Sequence, residues 1–327
     1  MLRCIQRTET DPYYNIAAEE YLLKTALTNT FMIWRNEPSV IIGKHQNASR
    51  EINHDYIESL NIPVIRRITG GGAVYHDLGN INFSFIYTDR IVDLVNFRYF
   101  TEPVIKFLQE LGLNASFEGK NNIIIDGLKV SGNSAHVYKS KVLHHGTLLF
   151  NSDLNALEKA TAGREEHYRD KSVKSVRSKV SNISELLSGK IPETEFITLF
   201  LAFICKYHPG AYVDEFDGNE NESILELVEE KYKKQEWNFR YSPEYKYDED
   251  WTIQNGKCAI SLSVKEGLII KAEITGPQAN ASFLNAIANQ LTGVLHEKKS
   301  ISERLKNLTF VSENEKQIVN QIIQHLF

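Results

Sequence analysis

The sequence predicts an α+β protein with two domains, and three observations support this fold class. A chain of 327 residues is long enough for about two domains that each bury a core. Up to residue 150, β-rich runs with short connections and interspersed helical stretches indicate a mixed or largely antiparallel sheet with helices packed on it. The C-terminal part reads as a β-meander followed by two amphipathic helices, which is typical of a small α+β module.

The individual elements follow from local patterns. Helices are predicted where apolar residues recur every three or four positions, in IAAEEYLLKTAL, FTEPVIKFLQELG, TEFITLFLAFICKYH, ASFLNAIANQLTGVL and ENEKQIVNQIIQHLF. Strands are predicted in FMIWR, SVIIG, IPVIRRI, INFSFIY, NNIIIDGLKVSG and KVLHHGTLLF. In the meander WTIQNGKCAISLSVKEGLIIKAEIT, Asn255-Gly256 and Lys265-Glu266-Gly267 mark two hairpin turns.

An uneven distribution of charge suggests where the two domains meet. Residues 214–250 carry 13 acidic and 5 basic side chains, whereas the remaining residues carry 29 and 32. We interpret this acidic run as a solvated helix followed by a linker, because residues 242–250 are polar and contain a proline near their start. The prediction is a larger domain at residues 1–245 and an accessory domain at residues 246–327.

Composition excludes several classes of protein. A net charge of −5 argues against a basic nucleic-acid coat or a membrane-surface protein. Cys4, Cys205 and Cys258 are far apart and form no CxxC pair, which argues against a disulfide framework or a cysteine zinc site. No apolar run approaches the ~18 residues of a membrane span, and the N-terminus has no uninterrupted apolar segment of a secretory signal. We expect a cytoplasmic protein that binds neither nucleic acid nor membrane.

The most informative segment is RRITGGGAVYHD, residues 66–77. Gly70, Gly71 and Gly72 allow a ligand to approach the backbone, since no Cβ atom blocks it. Successive amides can bind an anion, and Arg66 and Arg67 add positive charge for a phosphate or carboxylate. The segment is neither a Walker A loop nor a GxGxxG turn that opens a helix. An ordinary glycine-rich hairpin is the alternative, and the paired arginines favour a ligand loop.

Two further segments carry basic residues. Lys129 begins KVSGNSA, where a compact ammonium beside small residues suits an acyl and a phosphoryl oxygen together, although a surface lysine beside a β-bulge fits equally well. Residues 169–179 contain five basic and one acidic residue. They fit either a mobile loop that closes over a polyphosphate or an exposed basic turn. We interpret His76, His144 and His145 as structural groups, since most strand histidines have hydrogen-bond partners within the fold.

Four segments in order, RRITGGGAVYHDLGNINFSF, GKNNIIIDGLKVSGNSAH, HHGTLLFN and SVRSKVSNISELL, resemble the lipoate–protein ligase A family. The similarity begins at DPYYNIAAEEYLL, includes MIWRN and extends to EWNFRYSP, so it covers nearly the whole chain. The resemblance implies a biotin/lipoate ligase-like catalytic domain and a C-terminal accessory domain. It also implies an ATP-dependent ligase that makes lipoyl-AMP and transfers lipoyl to a lysine of apo lipoyl domains. The implied acceptors are 2-oxoacid dehydrogenase acyltransferase subunits and the glycine-cleavage H protein.

The resemblance assigns roles to the segments described above. Lys129 would be the catalytic residue, placed between the lipoyl carbonyl and the phosphate. The three glycines would line the lipoate tunnel, with Arg67 and Arg66 near the phosphate, and residues 171–179 would close over the adenylate. The other implied binding residues are Trp34, His76, Asp77, Asn121, Ser131, Gly132, Ala135, Lys171, Ser175, Val176, Arg177 and Lys179.

One position departs from the family pattern. Asn122 stands where the family commonly has aspartate, and an amide offers an oxygen to Mg²⁺ but no negative charge. The metal ligands therefore stay unassigned, while we still expect Mg²⁺ because the departing pyrophosphate needs charge neutralisation. Two alternatives stay open: a lipoyltransferase that uses preformed lipoyl-AMP or lipoyl from another protein, and a non-catalytic lipoate or adenylate sensor. Lys129 argues against the sensor, since binding alone needs no transition-state group.

Overall fold

The computed structural model describes residues 1–88, 95–176, 178–253, 256–306, 308 and 312–327. These residues form two compact units, each assembled from separate stretches of sequence. The first unit contains Met1–Lys44, Ile62–Thr161 and Lys174–Lys234, and the second contains His45–Asn61, Ala162–Val173 and Gln235–Phe327. The compact units are thus discontinuous in sequence, and a division into domains at residue 245 stays a prediction.

Strands are distributed over both units. In chain order they are β1 (Leu2–Gln6), β2 (Asn29–Arg35), β3 (Ser39–Ile42), β4 (Val64–Arg66), β5 (Val74–His76), β6 (Asn80–Tyr87), β7 (Ala115–Glu118), β8 (Asn122–Ile125), β9 (Leu128–Tyr138), β10 (Lys141–Leu149), β11 (Tyr168–Asp170), β12 (Tyr212–Asp214), β13 (Tyr245–Ile253), β14 (Gly256–Lys265) and β15 (Leu268–Thr275).

Helices alternate with these strands in both units. They are α1 (Pro12–Thr25), α2 (Ala48–Glu51), α3 (His54–Leu60), α4 (Phe97–Glu110), α5 (Leu154–Ala160), α6 (Ile183–Leu186), α7 (Glu193–Tyr207), α8 (Gly218–Leu227), α9 (Ala281–Leu291), α10 (Lys298–Lys306) and α11 (Glu313–Leu326). Short 3₁₀ turns lie at Glu165–His167 and Gln278–Asn280, and π-helical turns lie at Val228–Tyr232 and Glu236–Arg240. Within the described ranges, no helix is long and apolar enough to cross a membrane.

The first unit contains an eight-stranded sheet in the order β12-β1-β2-β6-β10-β9-β8-β7 and a three-stranded sheet in the order β4-β3-β5. In the large sheet β1 pairs in parallel with β12 and β2, and the other neighbours are antiparallel. The predicted mixed, largely antiparallel sheet is therefore confirmed. Helices α4 and α7 bury aromatic side chains in its core, where the rings of Phe107 and Phe200 stack 4.7 Å apart.

Helix α1 contributes polar side chains to the interior of the first unit. The Asp11 side chain accepts hydrogen bonds from the amides of Tyr13 and Tyr14, which caps the helix at its start. The helix is buried on most sides, so that Glu19 and Glu20 lie inside with exposures of 1% and 4%. Buried carboxylates need hydrogen-bond partners, and these partners define much of the site described below.

The second unit contains a four-stranded sheet in the order β11-β13-β14-β15. The two predicted hairpins of the meander are present, and Glu266 and Gly267 both have positive φ in the turn between β14 and β15. Asn255 lies outside the described residues. The interpretation of residues 242–250 as a linker was wrong, because β13 begins at Tyr245. Tyr245, Tyr247 and Trp251 alternate with exposed residues and are buried, which is the two-residue period of a strand.

Candidate active site

Two consecutive buried arginines precede the glycine loop, residues 70–72, and the second of them bonds to it. Arg66 and Arg67 are buried at the end of β4, and their guanidinium groups bond mainly to backbone carbonyls. Arg66 donates to the carbonyls of Gly43 and Lys44 at 3.1 and 3.0 Å. Arg67 donates to the carbonyls of Gly70 and Gly72 at 2.5 and 2.8 Å. The structure thus places both guanidinium groups on the protein backbone, and direct contact with a phosphate stays a prediction.

Arg67 keeps its positive charge in a costly environment. It donates further to the Ile41 carbonyl at 3.0 Å and to the Thr69 hydroxyl at 2.9 Å. Burial lowers the pKa of Arg67 to about 10, and the charge of Glu19 acts in the opposite direction. Since the contacting acceptors are neutral, the guanidinium charge is solvated but not cancelled. The guanidinium charge therefore stands at the glycine loop with no carboxylate of the described residues in direct contact.

The three glycines have different surroundings. A Cβ atom on Gly71, whose φ is +89°, would lie 2.9 Å from the Arg67 guanidinium, and one on Gly72 would lie 2.9 Å from the Ser175 hydroxyl. A Cβ atom on Gly70 would meet nothing within 4 Å. Gly71 and Gly72 are therefore constrained by close packing, whereas Gly70 faces open space.

Lys129 lies on β9, the strand that also carries Gly132 and Ser134. Its side chain is half-buried, and burial lowers the pKa of its ammonium. Gly132 leaves room for it, since a Cβ atom there would lie 3.5 Å from the Lys129 Nζ. The same strand reaches the glycine loop through the Ser134 hydroxyl, which donates to the Gly70 carbonyl at 3.0 Å. Lys129 and Gly132 therefore lie together on the strand that bonds to the glycine loop through Ser134, and a position of the Lys129 ammonium at the loop stays a prediction.

The predicted pocket wall contains a neutral histidine with a free donor. His76 packs against Trp34 with ring centroids 5.7 Å apart, and burial lowers its pKa to about 3. The Asn36 side-chain amide donates to His76 Nδ1 at 3.1 Å, so that Nε2 carries the proton. Among the described residues nothing accepts from this buried Nε2. A ligand oxygen would satisfy it.

Four predicted site residues serve the scaffold in this structure. The Asp77 carboxylate accepts from the Asp153 amide at 2.8 Å, next to the start of α5. The Asn121 side chain donates to the Asn133 carbonyl at 2.5 Å, and Asn133 in turn donates to the Ser131 hydroxyl at 3.1 Å. Ala135 packs on the hydrophobic core of the first unit. A ligand contact by these four residues is not seen here and stays a prediction.

The basic segment that contains Lys171, Ser175, Val176 and Lys179 is an irregular, mostly exposed loop. Its end is fixed to β9, because the Lys129 amide donates to the Lys179 carbonyl and the Ser181 amide donates to the Lys129 carbonyl, both at 3.1 Å. Ser175 reaches the glycine loop and accepts from the Ala73 amide at 2.9 Å. Val176 is 84% exposed, which leaves an apolar side chain available to a ligand or partner. Arg177 lies outside the described residues.

A protein cage for Mg²⁺ is not formed by the described residues. Within those ranges no group of three or more His, Cys, Asp or Glu side chains is arranged to hold a metal ion. Asn122, at the start of β8, contributes an amide and no charge. The residues present do not fit a metal held by the protein alone.

Sequence reasoning missed Ser134, Thr69 and Glu19 as members of the site. Thr69 lies between Arg67 and His145, and Glu19 bonds to His145 from α1. A signal was present in IAAEEYLL, where two acidic residues interrupt an otherwise apolar helical run. Such residues are buried only with partners.

Comparison with known proteins identifies this arrangement. The family model of the lipoyl protein ligase A/B catalytic domain matches residues 11–204, and that of the bacterial lipoate protein ligase C-terminus matches residues 242–327. Lipoate–protein ligase 1 of Staphylococcus aureus is 39% identical over 300 residues, which cover 90% of each chain. The lipoate–protein ligase LplJ of Bacillus subtilis is 38% identical over 302 residues, which cover 91% of each chain.

Solved structures agree with the sequence comparisons. A lipoate protein ligase of Thermoplasma acidophilum with bound lipoic acid has a TM-score of 0.63 and 26% identity, and it covers 73% of this chain and 99% of its own. A lipoate–protein ligase A bound with ATP gives the same four values. A bipartite ligase described with its E2 lipoyl domain, also from T. acidophilum, has a TM-score of 0.63 and 27% identity over 73% of this chain and 95% of its own. The predicted resemblance is confirmed: this chain belongs to the lipoate–protein ligase family.

Proposed function

We propose that this protein is an ATP-dependent lipoate–protein ligase that joins lipoate to a lysine of an apo lipoyl domain. The observation that supports the proposal most directly is the position of the Lys129 ammonium. Its partly desolvated ammonium lies beside Gly132, on the strand that bonds to the glycine loop through Ser134. The ligases of known structure in this family bind lipoic acid and ATP.

In the first step, a carboxylate oxygen of lipoate attacks the α-phosphorus of ATP. The bond between the α-phosphorus and the bridging oxygen breaks, and pyrophosphate leaves with the electron pair. The Lys129 ammonium would stabilise the charge that develops on the phosphoryl and acyl oxygens. The charge of Arg67, which bonds to the carbonyls of Gly70 and Gly72, would also stabilise the negative charge on these oxygens. The open face of Gly70 would admit the chain that carries the carboxylate.

In the second step, the neutral amine of the acceptor lysine attacks the lipoyl carbonyl carbon. The acyl–oxygen bond breaks, AMP leaves as a phosphate anion, and the new amide forms after the nitrogen loses a proton. Lys129 again offers its charge to the carbonyl oxygen, and the free Nε2–H of His76 is a further donor for an acyl or phosphoryl oxygen. The loop at residues 171–179 would exclude water from the anhydride.

The finer parts of the proposal concern cofactor, acceptors and location. Mg²⁺ enters with ATP, which supplies most of its ligands because the described residues offer no carboxylate cluster. The acceptors are lipoyl domains of 2-oxoacid dehydrogenase acyltransferase subunits and the glycine-cleavage H protein. A cytoplasmic location is part of the same proposal.

The test measures both half-reactions in one incubation. The protein is mixed with lipoate, Mg·ATP and an apo lipoyl domain, and pyrophosphate and acceptor mass are followed. We expect lipoate-dependent pyrophosphate release and a lipoylated acceptor. Lys129→Ala should lower both rates by ~10²–10³-fold. Lys141→Ala is the matched control, because the Lys141 ammonium bonds to the carbonyls of Lys24 and Ala26 instead of facing the loop.

The same incubation decides between the alternatives. If the acceptor gains mass only when synthetic lipoyl-AMP is supplied, the protein is a lipoyltransferase and not a ligase. If lipoate binds but no acceptor is modified, the protein is a sensor. Equal rates for Lys129→Ala and the unmodified protein would refute the catalytic role of Lys129.

A further inference from the structure

A continuous line of buried hydrogen bonds runs from the glycine loop into the interior of the first unit. The Arg67 Nε donates to the Thr69 hydroxyl at 2.9 Å, and the Thr69 oxygen lies 2.8 Å from His145 Nε2. On the other side of the imidazole, His145 Nδ1 lies 2.8 and 2.9 Å from the two oxygens of Glu19. The line therefore joins the end of β4, strand β10 and helix α1.

The chemistry of the groups fixes the direction of each hydrogen bond. A guanidinium only donates and a carboxylate only accepts, so the protons at the two ends are assigned. His145 then donates from Nδ1 to Glu19. In the neutral imidazole Nε2 accepts from the Thr69 hydroxyl, whose oxygen accepts from Arg67 through a lone pair. Thr69 and His145 thus connect Arg67 to Glu19.

The line carries an electrostatic role as well as a geometric one. Glu19, His145, Thr69 and Arg67 are 1%, 8%, 0% and 5% exposed. Among the described residues no carboxylate forms a direct ion pair with Arg67, and the charge of Glu19 opposes the loss of its proton. Glu19 is thus the negative charge that stabilises Arg67 without contacting it directly, and Thr69 and His145 link the two side chains by hydrogen bonds. A buried cation without such an anion is costly.

We propose that Glu19 and His145 are positioning residues: acting through Thr69, they hold Arg67 in the orientation that fixes the glycine loop. The consequence for catalysis rests on the proposed function, since it assumes that the loop binds the lipoyl adenylate. Arg67 donates hydrogen bonds to the carbonyls of Gly70 and Gly72, so a rotated guanidinium would lose both of these bonds to the loop. A loop that moves would misalign the reacting carboxylate, and small misplacements are costly in rate.

The same carboxylate also holds a wall of the predicted lipoate pocket. Ser84 donates to the Glu19 carboxylate at 2.6 Å, and the Trp34 indole donates to Ser84 at 2.9 Å. Glu19 is therefore a branch point, with the glycine loop on one arm and Trp34 on the other. This branching offers a control, since Ser84→Ala breaks the Trp34 arm and leaves the Arg67 arm in place.

The test compares Thr69→Val with Thr69→Ser in the full chain. Valine keeps the shape of threonine but has no hydroxyl, whereas serine keeps the hydroxyl. Hydrogen exchange of peptides that span residues 68–76 should be ~10-fold faster in Thr69→Val and within ~2-fold of the unmodified protein in Thr69→Ser and Ser84→Ala. In lipoate-dependent pyrophosphate release, kcat should fall ~10-fold in Thr69→Val while KM for ATP changes less than ~3-fold, and serine should restore kcat.

A double variant tests whether the line acts as one unit. His145→Phe with Thr69→Val should lose no more kcat than the worse single variant, because either change alone already breaks the connection between Glu19 and Arg67. Multiplied losses, equal defects in Thr69→Val and Thr69→Ser, or unchanged exchange in Thr69→Val would overturn the proposal. If the unmodified protein releases no lipoate-dependent pyrophosphate, the proposed function fails while the exchange data still judge the positioning role.

Discussion

Two buried arginines, one in each compact unit, are satisfied in opposite ways. Arg50 in the second unit is 1% exposed, and its guanidinium lies 3.2 Å from the Asp170 carboxylate and 3.4 Å from that of Glu165. Arg67 in the first unit is 5% exposed and bonds to neutral carbonyls and a hydroxyl. Both are fully enclosed cations, but only Arg50 has anions in direct contact.

This difference separates a structural charge from a functional one. The charge of Arg50 is cancelled where it stands, so the pair joins α2 to β11 and has little field left for a ligand. The charge of Arg67 has no anion in direct contact, and Glu19 acts on it only through His145 and Thr69, so the guanidinium can still act on an anion bound at the loop beside Gly70. The lowered pKa of Arg67 agrees with a cation that an incoming anion would relieve.

The largest effect is expected from removing the anion of Arg50. Asp170→Asn keeps the shape of the side chain but leaves a buried guanidinium short of its closest carboxylate, which should lower the free energy of unfolding by about 3–5 kcal/mol. Chemical denaturation, with a probe in the second unit, measures it. An unfolding free energy within about 1 kcal/mol of the unmodified protein would show that this pair is not the main anchor.

The pH dependence provides a check on the same pair. Although burial alone would raise it, hydrogen bonds from Ser172 and Asn47 and the charge of Arg50 hold the pKa of Asp170 below its usual value. A lowered folded-state pKa gives stability that is present above the unfolded pKa of about 3.9 and is lost as pH falls through the folded value. The unmodified protein should therefore lose this contribution only below about pH 4, and Asp170→Asn should lack that acid-dependent step.

Local pattern predicted several elements of both units, although not the short helix that carries Arg50. The glycine loop, the strand with Lys129 and the accessory meander each have a short-range signal, either consecutive glycines, β-rich runs or hairpin turns. The error at residues 242–250 arose because the polar composition of the segment was given more weight than the two-residue period of its aromatic side chains. Tyr245, Tyr247 and Trp251 occupy buried positions of that strand two or four residues apart, as does Glu249, but the run of acidic residues suggested a linker.

The partners of the arginines were beyond the reach of the sequence. Arg66 and Arg67 looked like phosphate ligands because charge type is visible in sequence, whereas the direction of a guanidinium is set by carbonyls brought close through folding. Glu19 and His145 are 126 positions apart, so their contact has no local signature. The same holds for Asn47 and Asp170, which lie 123 positions apart in the second unit.

The next largest effect separates the two arginines by function. Arg67→Lys keeps the charge but loses the fork that bonds to Gly70 and Gly72, so kcat/KM for lipoate adenylation should fall ~10–100-fold. Arg50→Lys should lower the unfolding free energy of the second unit and leave the adenylation rate of folded protein within ~3-fold. Steady-state pyrophosphate release and denaturation curves on both variants provide the data. A reversed outcome, with activity lost in Arg50→Lys alone, would contradict the division of roles.

A smaller effect tests whether the space beside the loop is the ligand site. Gly70→Ala adds a methyl group where no atom lies within 4 Å, so stability should change by less than about 1 kcal/mol. If lipoate occupies that space, its KM should rise ~10-fold because the methyl group takes up room. Gly189→Ala, at another open glycine, is the control and should leave KM unchanged. An unchanged KM for lipoate in Gly70→Ala would show that the lipoate chain does not occupy the space beside Gly70.

The smallest effect concerns the third support of the glycine loop, which comes from neither arginine. Ser175→Ala removes the hydrogen bond from the Ala73 amide, a part-buried contact worth about 1 kcal/mol. We therefore expect ~5-fold faster trypsin cleavage after Lys171 or Lys174 and a ~2–5-fold lower adenylation rate. Ser178→Ala removes an exposed hydroxyl from the same loop and should change neither. Equal cleavage of the two variants would mean that the basic loop is held by its attachment to Lys129 through Lys179 and Ser181, and that Arg67 and Ser134 fix the glycine loop without Ser175.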